Sequence, residues 1–84
     1  MQRIIVVTSP DGLHARPAAQ LAQLAREATG TVRLGIEGCM VDAASVLAVM
    51  DLELTPGTRV VVEAEGEDAP ATLDAVAAIL APPA

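Results

Sequence analysis

The chain has 84 residues, a formal charge of −6, 52% hydrophobic residues and no Phe, Tyr or Trp. That length makes one small domain, residues 1–84, with a single two-layer core and no room for a separate catalytic domain. The acidic balance excludes a nucleic-acid surface, and the missing aromatics exclude base stacking.

No apolar run reaches the length of a membrane span and the first residues lack a signal-peptide layout, so a cytoplasmic protein without direct membrane insertion is expected. Cys39 is alone and can form no internal disulfide. It reads as a small apolar filler or a hairpin thiol. With no His/Cys cluster at metal-ligand spacing, no metal and no cofactor are expected.

In chain order, Gln2 to Thr8 is rich in β-branched residues and predicts a strand, but its alternation is too poor to assign faces. Ser9-Pro10-Asp11-Gly12 is turn chemistry. Pro17 suits the first turn of a helix, and Ala18, Leu21, Ala22, Ala25 and Ala28, with Leu24, repeat at helical spacing. Gly30 then predicts a left-handed cap. Thr31 to Ile36 and Cys39 to Val41 predict two short strands joined by Glu37-Gly38. Ser45 to Leu52 predicts a short helix with Ser45 as its N-cap. Pro56-Gly57 predicts a type II turn, and Arg59 to Ala64 a fourth strand. Asp68 is placed to cap a last helix with Pro70 in its first turn and Leu73, Val76, Ala77 and Leu80 on its buried face. The order β-α-β-β-α-β-α predicts a two-layer α+β domain, and pattern alone leaves the strand order open.

The chemistry concentrates in Gly12-Leu13-His14-Ala15-Arg16-Pro17-Ala18-Ala19. His14 is the only histidine, a nucleophile or base near neutral pH, set at or just before a helix N-terminus. Free amides and the helix dipole favour an anion there, and Gly12 permits a close approach. Arg16 adds a guanidinium suited to phosphate oxygens. On the residues alone, two readings stand: a site that holds a phosphoryl group on His14, or a histidine that serves as a cap or surface residue. No Ser or Cys nucleophile lies near His14, and Asp11 is the only nearby carboxylate, so a hydrolase is not expected.

That octapeptide resembles the active-site signature of HPr, the histidine-containing phosphocarriers of the phosphoenolpyruvate-dependent sugar phosphotransferase system. The likeness extends through Ala44-Ser45-Val46-Leu47-Ala48-Val49-Met50, Leu54-Thr55-Pro56-Gly57-Thr58 and Glu65-Gly66-Glu67-Asp68. It implies an open-faced antiparallel sandwich with strand order 1-4-2-3 and three helices on one face. It implies no enzyme but a stoichiometric carrier: His14 accepts a phosphoryl group, through Nδ1 in the family, from phosphorylated enzyme I and passes it to IIA proteins or domains. Arg16 would neutralise the phosphoryl oxygens while the amides of Ala15 and Arg16 donate to them. Ser45 falls where many members carry a regulatory serine, the target of a serine kinase, although capping alone also explains it. Here Ala44, Ala48 and Glu53 depart from the common pattern. Val46, Leu47 and Met50 correspond to the family's docking patch or, equally at that spacing, to core; the short helix leads us to expect Leu47 and Met50 partly exposed. A monomer is expected. The resemblance also admits an HPr-like regulator of nitrogen metabolism or transcription that uses the same phosphohistidine.

Overall fold

The apolar opening run becomes strand β1 (Gln2–Val6), which ends before Thr8. The computed structural model describes residues 1–10 and 14–83. Asp11, Gly12 and Leu13 therefore lie outside the described residues, and with them part of the expected turn and the role foreseen for Gly12. After β1 come α1 (Ala15–Glu27), β2 (Val32–Ile36), β3 (Cys39–Asp42), α2 (Val46–Asp51), β4 (Arg59–Ala64) and α3 (Ala69–Leu80).

The four strands form one antiparallel sheet in the order β1-β4-β2-β3. The helices cover one face and leave the other open to solvent. Alternation along β4 turns Val60, Val62 and Ala64 into the core, where they meet Leu34, Leu21, Leu73, Val76 and Leu80. With no aromatic ring available, the layers close on Leu and Val. Ala18 and Ala22, both fully buried, let α1 approach its neighbours closely. Each fully buried Leu or Val contributes about 1.5–3 kcal/mol.

Two turns form as the composition suggests. Gly38 adopts φ +82° between the paired residues Ile36 and Cys39. Gly57 adopts φ +93°, and the Thr58 amide donates to the Thr55 carbonyl at 3.1 Å. Cys39 is exposed, so the hairpin-thiol reading holds and the apolar-filler reading does not.

Gly30 is not a left-handed cap. The helix ends earlier, with Ala28 as its extended C-cap, and Gly30 does not have a positive φ. A Cβ at Gly30 would collide with the carbonyl oxygen of Glu65, so glycine serves the close approach of two chain segments. Asp68 also departs from expectation. It occupies the N-cap position of α3, but its side chain makes no cap bond. Its carboxylate instead accepts from the Thr29 hydroxyl at 2.7 Å and the Thr29 amide at 3.2 Å, joining the end of α1 to the start of α3.

The Thr29 hydroxyl, and after it the Thr29 amide, hold the Asp68 carboxyl below its ordinary value. A depressed folded-state pKa stabilises the fold above the unfolded carboxylate value of about 3.9 and loses that contribution as pH falls through the folded value. Asp68→Asn should accordingly flatten part of the loss of melting temperature below about pH 4. Melting curves across the acid range check this; an unchanged acid slope would count against the Thr29–Asp68 link.

Candidate functional site

Helix α1 starts one residue after His14, whose φ −74° and ψ −174° are extended, as an N-cap requires. The His14 side chain is exposed and makes no capping bond. The cap reading therefore loses its support, and the imidazole is left facing solvent. Its carbonyl accepts from the Ala18 amide at 3.0 Å, the first bond of the helix. The amides of Ala15 and Arg16 precede that bond and have no acceptor within the helix, while Pro17 has no amide to offer. The helix end thus presents two donors and the positive end of the dipole beside the ring. Arg16, exposed in the first turn, supplies a cation there, and no acidic residue of that turn offsets it.

The second group of residues lies on α2, which packs against α1. Ser45 is its N-cap, and its hydroxyl accepts from the Ala48 amide at 3.3 Å. Arg26 on α1 donates to the Ala44 carbonyl at 3.3 Å, tying the two helices where α2 begins. Val49 is fully buried and Val46 packs partly against the core, whereas Leu47 is 74% and Met50 36% exposed. Two of the three expected docking residues are therefore surface residues, and Val46 is shared with the core. Just beyond its C-cap Leu52, Glu53 takes φ +52°, an uncommon conformation for a residue with a side chain. Among the described residues no group of three or more His, Cys, Asp or Glu could hold a metal ion, and no helix is long and apolar enough to cross a membrane.

Fold and site together define the class of open-faced α+β sandwiches whose first helix begins at a surface histidine. The family model described as the PTS HPr component phosphorylation site matches residues 1–81. The chain is 44% identical to the phosphocarrier protein HPr of Haloferax volcanii, an alignment covering 99% of this chain and 96% of that one. It superposes on the crystal structure of the phosphocarrier protein HPr from Bacillus anthracis with a TM-score of 0.87, 32% identity and 95% of both chains covered. The solution structure of Crh, the Bacillus subtilis catabolite repression HPr, follows with a TM-score of 0.70, 38% identity and 95% of both chains covered. The chain belongs to the HPr family of phosphocarriers of the phosphotransferase system.

Proposed function

We propose that His14 carries the phosphoryl group, taken from phosphorylated enzyme I and delivered to IIA proteins or domains in the cytoplasm. One observation carries this reading: the imidazole is exposed at the N-terminus of α1, spends no bond on capping, and lies beside two amides without helical acceptors. In the transfer, a ring nitrogen lone pair forms the new N–P bond while the donor's phosphorylated atom keeps the electron pair of the bond that breaks. The amides of Ala15 and Arg16 and the Arg16 guanidinium accept the charge of the phosphoryl oxygens. A carrier must hold the group only moderately, and an open helix end without a pocket suits that need. The test is incubation with enzyme I and radiolabelled phosphoenolpyruvate, followed by addition of a IIA protein. Label should enter the chain and then leave it for IIA.

A second reading is a regulatory branch, in nitrogen or transcriptional control, that uses the same phosphohistidine; a relative named as a catabolite repression HPr gives regulation a place among proteins of this fold. Label that enters but passes to no sugar-specific IIA protein would favour it.

The Arg16 guanidinium can make charge-assisted bonds of about 1.5–3 kcal/mol to an anion. Arg16→Ala is expected to slow transfer about tenfold or more, by the correspondence of 1.4 kcal/mol to each factor of ten, with little change in melting temperature. Unchanged kinetics would mean that the helix end suffices.

Leu47 and Met50, with Val46 at their base, form the proposed docking surface, and Ser45 stands at its edge as the site of a serine kinase. Aspartate caps a helix as well as serine does, so Ser45→Asp introduces the charge without removing the cap. The anion would be desolvated as a partner approaches. The apparent affinity for enzyme I, read from initial rates of labelling, should fall about tenfold, the effect of 1.4 kcal/mol. Equal affinities would reduce Ser45 to a helix cap.

A further inference from the structure

Among the described residues, Glu53 is the one residue other than glycine that takes a positive φ. A side chain in that region crowds its own backbone, which a glycine would not do. The charge of Glu53 is as poorly placed as its backbone. The residue follows the C-cap of α2, and its amide donates to the Met50 carbonyl at 3.1 Å. A helix end, where free carbonyls concentrate negative charge, favours cations. The last turn of α2 nevertheless contains no basic residue, and the exposed Asp51 adds a second anion. The Glu53 carboxylate, itself exposed, finds neither an ion pair nor a side-chain hydrogen bond among the described residues. The fold thus loses stability by having glutamate here and gains no contact in return. Strain of this kind clusters where a residue serves function at the expense of stability.

What Glu53 does adjoin is the exposed apolar surface of α2, formed by Leu47 and Met50. At the opposite end of that helix stands Arg26, exposed on α1, its guanidinium against the Ala44 carbonyl. The face therefore runs from a cation beside the start of α2, through two apolar side chains, to anions at its end. Helix α2 has six residues and is about 9 Å long at about 1.5 Å per residue. That is close to the Debye length of about 8 Å at physiological salt, so a partner meets the two poles as separate charges. Both fit within the roughly 800 Å² that one side contributes to an interface of ordinary size.

We propose that Glu53 is a specificity residue of this docking surface. It selects an enzyme I whose docking face places an acidic group opposite Arg26, apolar side chains opposite Leu47 and Met50, and a lysine or arginine opposite Glu53. This rests on the carrier reading above and adds the order of charges on the partner. A docking face acidic along its whole length would be repelled at Glu53. An exposed rim pair adds modestly to affinity and acts chiefly on association rate and choice of partner.

Initial rates of His14 labelling by cognate enzyme I and radiolabelled phosphoenolpyruvate, measured against carrier concentration, test this. Glu53→Gln removes the charge and keeps the strained backbone. Its KM should rise about threefold at low salt with kcat unchanged, and the gap from the parent should close as salt is added. Glu53→Gly removes both charge and strain, so the same rise in KM should accompany a melting temperature higher by about 4 °C. Glu53→Asp retains the charge and should retain the KM of the parent. Glu53→Lys sets like charges against each other and should raise KM about tenfold. Equal KM values for the parent, Glu53→Gln and Glu53→Gly overturn the proposal. So does a gap that salt leaves unchanged, or a Glu53→Gly protein that melts at or below the parent, since the glutamate would then be held at no expense to the fold. A parent chain that takes no label overturns the carrier reading and this proposal together, whereas equal KM values with full labelling overturn this proposal alone.

Discussion

His14→Ala is expected to accept no phosphoryl label from enzyme I and phosphoenolpyruvate, while the parent chain takes up one acid-labile, base-stable group. The effect is a complete loss because no second histidine exists to substitute. It should also be a clean loss. The side chain is exposed and contributes no cap bond, so the substitution should move stability by no more than the roughly ±0.5 kcal/mol typical of surface changes. Label measured after gel separation, with a melting curve of the same sample, provides both readings. Persistent labelling would move the phosphoryl site elsewhere.

Gly35→Ala should have the largest effect on the fold. Gly35 is buried in β2 beside Met40 of β3. A Cβ there would strike the Cys39 carbonyl and lie 2.9 Å from the Met40 Cα. These are backbone atoms of a paired strand and cannot swing aside as a side chain would. Overpacking of this kind costs about 1–3 kcal/mol. For a domain of this size the melting temperature should fall about 4–8 °C for each kcal/mol. Gly38→Ala is the useful contrast: it has open space around it, so its cost is confined to the left-handed backbone, about 1–2 kcal/mol. A Gly35→Ala protein that melts with the parent would show that β3 can move aside.

Legibility in the sequence follows the range of the interactions. Local features were legible: Ser45 as a cap, the Pro56-Gly57 turn, the start of a helix at His14, and a short helix unable to bury both Leu47 and Met50. The strand order became legible only through family likeness, because β1 pairs with β4 and residue pattern carries no information on pairing so distant in the chain. Gly30 and Asp68 were misread for the same reason. Each sits where a local motif would explain it, yet Gly30 answers to Glu65 and Asp68 to Thr29. The faces of β1 could not be assigned because Ile4 and Val6 are apolar on the uncovered side, so polar and apolar residues do not alternate there.

The amides of Thr8 and Ser9 both donate to the carbonyl of Leu80, at 3.0 and 3.2 Å, and β1 itself pairs only with β4 among the described residues. Strand β1, Thr8 and Ser9 are therefore held by β4 and α3. During synthesis those elements leave the ribosome well after β1, and a strand whose partners are distant pays its loop-closure entropy before any contact rewards it. The residues of β1 must wait, unpaired and rich in isoleucine and valine, until β4 has emerged. A nascent or truncated chain that lacks β4 and α3 thus leaves β1, Thr8 and Ser9, upstream of His14, without the partners that hold them.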